Sequence, residues 1–204
     1  MTIAEFANAT LFLFVLLNPF LLIVYLADPV SRLTLARFAT ALMGAGIIGI
    51  GIFCVFALIG DLIFVRILHA RFASFQVFGG LVFLLIALQF VFRGPGSIEM
   101  LRGDARHLSG SIAMPILVGP GTLSASVVIG KRLNPLAAFA AISLSVAASV
   151  GIMVLLKMLH DFVLARNAKL VERYTDVAGR ILALYAGTFS VEMILTGLTS
   201  WEAS

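Results

Sequence analysis

Residues 116–124 read ILVGPGTLS, within a stretch from Ser111 to Gly130 that carries no charged side chain. Such a stretch reads as a membrane-crossing helix, because about 30 Å of hydrocarbon is covered by ~20 residues rising ~1.5 Å each. Yet Gly119-Pro120-Gly121 falls at its centre, where a helix tolerates such a triplet least. Proline lacks the N–H and its ring collides with the carbonyl four residues back, while glycine leaves the backbone unshielded. Peptide groups freed in this way are costly against lipid, so a broken span belongs where protein buries it or where it lines a polar cavity.

Outward from this stretch, the chain keeps the same character. Of 204 residues, 61% are hydrophobic and 12% charged, and the mean hydropathy of +1.12 exceeds what a soluble domain presents to water. Six apolar runs, at 6–27, 38–59, 75–92, 111–130, 136–156 and 178–198, predict an all-α, polytopic bundle of six transmembrane helices. They leave no room within residues 1–204 for a separate soluble domain, so one transmembrane domain is expected. The first run follows MTIAEF, which offers Glu5 and no Lys or Arg, and no small-residue cleavage site follows it; a retained helix is expected rather than a signal peptide. Cys54, the single cysteine, lies in the second run and reads as a packing residue. The net charge of +4 is scattered through the connections, which points to membrane topology and not to nucleic acid.

Nine Lys and Arg fall after runs 1, 3 and 5 (Arg32, Arg37, Arg93, Arg102, Arg106, Lys157, Arg166, Lys169, Arg173), against four on the opposite side (Arg66, Arg71, Lys131, Arg132). The positive-inside rule then places both termini outside the cytoplasm. Sliding the first half over the second by about 100 residues aligns Ala41, Ala45 and Gly49 with Ala141, Ser145 and Ser149, and Arg32 with Arg132. Asn18-Pro19 in run 1 likewise corresponds to Gly119-Pro120 in run 4, and Gln89 in run 3 stands 103 residues before Glu192 in run 6. Each half, about 1–94 and about 105–204, holds an odd number of spans. The expectation is therefore an inverted 3+3 repeat with discontinuous helices 1 and 4, a transporter signature.

The breaks LLNPF (16–20) and VGPGT (118–122) define the candidate substrate site. Half-helix N-termini offer N–H groups and positive dipole ends to a carboxylate, and freed carbonyls accept from an ammonium. Asn18, Pro19 and Phe20 supply one side of this site; Gly119, Pro120, Gly121, Thr122 and Ser124 supply the other, with Ser126 extending the polar path. Glu192 is the one acid inside any run. There it needs a partner, a proton or water, and it reads either as a coupling residue or as a side chain reaching the interface. Gln89 reads as a polar pathway residue or a helix-to-helix hydrogen bond. The small-residue stripes of runs 2 and 5 serve close helix approach. His69, His107 and His160 lie in connections or at helix ends without ligand spacing, so neither a metal site nor another cofactor is expected. No histidine stands near an intramembrane serine, which argues against a serine hydrolase and leaves no enzyme reading.

LNPF, FGGLVFLLIALQF at 78–90, SIAMPILVGPGTLS at 111–124 and RILALYAGTFSVEMILTGL at 180–198 together resemble the MarC family of bacterial and archaeal inner-membrane proteins, over nearly the whole chain. The resemblance implies a multi-pass inner-membrane transporter of small neutral amino acids such as glycine and alanine, coupled to a cation gradient. It also implies that the stretches around Asn18–Pro19 and Gly119–Thr122 form discontinuous helices holding the substrate. The chain departs from the family pattern at Leu21, where Gly is usual after Asn-Pro-Phe, at Gln76 for Arg, at Gln89 for an acid, and at Glu192 for Gln. Glu192 suits protons and the freed carbonyls and hydroxyls suit Na+, so both coupling ions stand. An exporter or channel for other metabolites or drugs is the alternative function; the partners expected are the bilayer and a small solute, with oligomeric state undefined by the sequence.

Overall fold

The computed structural model describes residues 2–26, 30, 32–64, 71–93, 117–166 and 168–202. Among these every regular element is a helix: α1 (Ile3–Leu17), α2 (Pro19–Tyr25), α3 (Leu35–Leu62), α4 (Phe72–Arg93), α5 (Pro120–Arg132), α6 (Pro135–Leu164) and α7 (Ala168–Glu202). Three are long and apolar enough to cross a membrane: Leu35–Gly60, Phe72–Gln89 and Pro135–Leu164. The expected first span is divided at Asn18, and residues 111–116 of the fourth lie outside the described residues. The sixth falls within α7, whose 35 residues make about 50 Å of helix, longer than the hydrocarbon alone requires. This is why α7, like α6, overruns its apolar run: hydropathy marks the lipid-buried part, while the helix continues into polar surroundings.

Local chemistry sets the helix starts. Thr2 caps α1, accepting from the Glu5 N–H at 3.2 Å while Glu5 Oε2 accepts from the Thr2 N–H at 2.7 Å, a reciprocal capping box. Thr34 caps α3. Asn134 caps α6 through the Ala137 N–H at 2.9 Å, followed by Pro135 at the first helical position, where a missing N–H costs nothing.

Interhelical bonds show how the helices run. Arg71 Nη1 donates to the Trp201 carbonyl at 3.2 Å, with its guanidinium 5.0 Å over the indole. At the other end Arg180 Nη1 donates to the Val91 carbonyl at 3.3 Å, so α4 and α7 are antiparallel; theirs is the most extensive helix contact. Ser145 Oγ lies 2.8 Å from the Thr10 carbonyl of α1 and from its own Ala141 carbonyl. Further along, Lys157 Nζ of α6 donates to the Val30 carbonyl, so the α1–α2 strand of helix runs parallel to α6. In α3, Gly49 abuts Leu117, and Gly130 of α5 sits directly against the Ala57 carbonyl, so α3 and α5 are parallel too. A Cβ at Gly130 has nowhere to go, since it would overlap backbone.

Ala41, Ala45, Gly49, Ala141, Ser145 and Ser149 are all buried, and α3 packs on α6. Small side chains there allow the backbones close together. Buried Lys157 is held by Asp161 Oδ1 at 2.6 Å, which also lies 3.3 Å from His160 Nδ1.

Candidate functional site

Asn18 carries the single positive φ among described non-glycine residues (φ 40°, ψ 74°). Asparagine tolerates the left-handed region better than other side-chain-bearing residues, and this conformation ends α1 and redirects the chain into α2. The Asn18 N–H still closes on the Phe14 carbonyl at 3.2 Å, and its own carbonyl accepts from Leu22 at 3.0 Å. Residue 19 is proline, so the Val15 carbonyl loses the donor a continuous helix would provide.

The second junction is built differently. Gly119 is extended (φ −113°, ψ 170°) and precedes Pro120 at the first position of α5. Thr122, buried, folds back on this turn: its Oγ1 accepts from the Gly119 N–H at 2.9 Å and lies 2.9 Å from the Gly119 carbonyl and 3.2 Å from that of Leu117. The N–H groups of Gly121 and Thr122 fall in the first turn of α5, where no intrahelical acceptor exists. The position of the turn is fixed from α4. A Cβ on Gly79 would overlap the Pro120 ring, and one on Gly119 would stand 2.6 Å from Phe83 Cζ.

The two junctions meet around one cavity of about 60 Å³. Asn18, Gly121 and Thr122 line it, with Val15 and Leu16 from the end of α1, Phe83 from α4, and Tyr185, Ala186 and Phe189 from α7. At ~30 Å³ of liquid volume per water, this is the space of about two waters, the scale of a very small solute. It is lined by the C-terminal end of α1 and by the first turn of α5, so helix ends of both dipole signs border it.

The remaining sequence-derived candidates stand at varied distances from this cavity. Pro19, Gly119 and Pro120 build the junctions behind it, and half-buried Ser124 follows on α5. Ser126 is fully buried and donates to the Leu123 carbonyl at 2.7 Å. Phe20 is 51% exposed, directed away from the interior. Gln89 and Glu192 are on exposed faces of α4 and α7 and do not line this cavity. Conversely, sequence reading did not single out Phe83, Tyr185 or Phe189. The available signal was the i, i+4 spacing of Tyr185 and Phe189 beside small Ala186, which puts a phenol and a ring on one face. Among the described residues no three His, Cys, Asp or Glu side chains cluster as metal ligands.

Long apolar helices and buried small-residue contacts between them define a multi-pass helical membrane protein. Residues 3–201 match the MarC family of integral membrane proteins, and the chain belongs to that family. It is 27% identical over 207 residues to a UPF0056 membrane protein of Aquifex aeolicus (strain VF5), an alignment covering 95% of this chain and 92% of the Aquifex protein. No solved structure matches the chain.

Proposed function

We propose that the protein is a secondary transporter of small neutral amino acids, of glycine or alanine size, working by alternating access in the inner membrane with a Na+ or H+ gradient. The observation that carries this reading is the small cavity lined together by Asn18, Gly121 and Thr122. A substrate carboxylate sits at the first-turn N–H groups of α5. Its ammonium sits at the carbonyls ending α1, with the Asn18 amide as a further polar contact. The cavity volume favours this class over bulky aromatic drugs.

Alternating access would follow from an inverted repeat with discontinuous first and fourth spans, and the packing supports one. Exchanging the halves turns the parallel α1–α6 contact into the parallel α5–α3 contact and leaves the antiparallel α4–α7 contact unchanged. At residue level, Lys157 on the Val30 carbonyl and Gly130 on the Ala57 carbonyl are the same pair of positions, shifted by 100 with the halves exchanged. The two pairs would occupy opposite membrane faces, the inner and outer ends of one rocking unit.

Uptake of labelled glycine and alanine into proteoliposomes, with a Na+ or a proton gradient imposed, tests the proposal. Accumulation driven by one gradient and abolished by Gly121→Leu, in protein that remains monodisperse, is the expected result. Absence of uptake under both gradients overturns the substrate assignment.

A further inference from the structure

A second, larger cavity of about 490 Å³ opens where α1 begins and α5 ends. Glu5, Asn8 and Phe12 of α1 and Ile129 and Arg132 of α5 line it. It therefore holds one carboxylate and one guanidinium, and they do not neutralise each other: among the described residues Arg132 makes no hydrogen bond or ion pair. Glu5 Oε2 accepts from the Thr2 N–H at 2.7 Å, and the Thr2 side chain is a further partner of the carboxylate. That Thr2 backbone bond also holds the Glu5 carboxyl below its ordinary value, so it is ionised at neutral pH. Asn8 adds an amide able to accept or donate.

The position of this cavity matters as much as its charge. Phe12 lines it, and Val15 and Leu16, one turn on along α1, line the inner cavity; Ile129 lines it, and Thr122, two turns back along α5, lines the inner cavity. Both cavities thus lie along the α1–α5 seam. A simple anion entering here meets Glu5 and a simple cation meets Arg132, whereas a zwitterion satisfies both.

We propose that this cavity is an entry site that captures zwitterionic amino acids, Arg132 binding the carboxylate and Glu5 with Asn8 the ammonium, before transfer along the α1–α5 seam to the inner cavity. The inference rests on the small-zwitterion reading above and adds a second, unassigned site to it.

The test compares wild type with Arg132→Gln and Glu5→Gln, the latter able to keep the capping bond to Thr2. Glycine uptake from the face bearing the N-terminus is measured against glycine concentration. Expected is a KM raised about two- to fivefold at low salt with Vmax retained, and a smaller difference at high salt, the range set by exposed charge contacts. Binding of labelled glycine to the purified, non-energised protein gives a readout independent of transport. Glycinamide and acetate, each carrying one of the two charges, should compete less well than alanine. Wild type that transports glycine with a KM unchanged in both variants overturns the entry site and leaves the transport reading intact. Glycine that binds but is never transported, with binding weakened by Arg132→Gln, supports the entry site while the transport reading fails. No glycine binding by wild type overturns the entry site outright.

Discussion

Replacing Thr122 by valine keeps the shape of the side chain and removes one oxygen, which makes it the sharpest probe of the Gly-Pro-Gly junction. Thr122 is 7% exposed and its Oγ1 accepts from the Gly119 N–H at 2.9 Å. In Thr122→Val that N–H is left buried without a partner. An orphaned buried donor costs about 1–3 kcal/mol, whereas the net value of an ordinary hydrogen bond is about 1 kcal/mol, so the desolvation of Gly119 dominates. Loss of the back-bond to the Leu117 and Gly119 carbonyls matters less, because a carbonyl with two lone pairs tolerates one vacancy better. Valine should therefore lower stability in detergent by about 1–3 kcal/mol, and Thr122→Ser, which keeps the oxygen, should recover most of the loss. Denaturation followed by intrinsic fluorescence of Trp201, with glycine uptake measured in parallel, reports both. Equal damage from serine and valine, or an undamaged valine variant, would refute the assignment of Thr122 as the clamp of this turn.

Other consequences are more local. Gly130→Ala should destabilise by about 1–3 kcal/mol because its methyl meets the rigid Ala57 backbone, while Gly151→Ala, with open space around it, should be neutral or stabilise by up to about 1 kcal/mol; paired thermal unfolding compares them. Ser145→Ala removes the hydroxyl shared with the Thr10 carbonyl and should cost about 0.6 kcal/mol, at most ~1.7, in a detergent unfolding titration. Asp161 lies 2.6 Å from buried Lys157 Nζ, so Asp161→Asn leaves that cation without its ionic partner. The variant should lose about 1–3 kcal/mol in thermal unfolding, and unchanged stability counts against the Lys157–Asp161 link.

What the sequence disclosed follows the strength of each physical signal. A membrane fold was plain, because burying so much apolar surface in water-soluble form is impossible at this composition. The helix end at Asn18 and the helix start at Pro120 were also legible: each proline announces itself by a missing N–H, and the left-handed turn fell on Asn18, a residue suited to it. Tyr185, Phe189 and Phe83 were hidden because an aromatic ring in an apolar helix looks the same whether it faces lipid, core or cavity. Gly79 was hidden for a related reason, since its importance lies in the Pro120 ring it admits from a distant part of the chain. Glu192 and Gln89 drew attention as rare polar groups in apolar runs, yet residue type alone does not say which helix face they occupy; both lie on exposed faces. The pairing of Glu5 with Arg132 around one cavity joins positions 127 residues apart, and no local pattern marks it.

The central claim is that the cavity between the two junctions holds a small zwitterion. Ala186 lines that cavity, and Cys54 is the single native thiol. An Ala186→Cys substitution in a Cys54→Ser background therefore places one reporter at the site. Its rate of modification by a small methanethiosulfonate reagent, measured with and without added solutes, is the most direct test. Glycine and alanine should slow the reaction, and phenylalanine or a bulky aromatic drug should leave it unchanged. Protection by the bulky solutes, or none by glycine at concentrations that saturate uptake, would contradict the account.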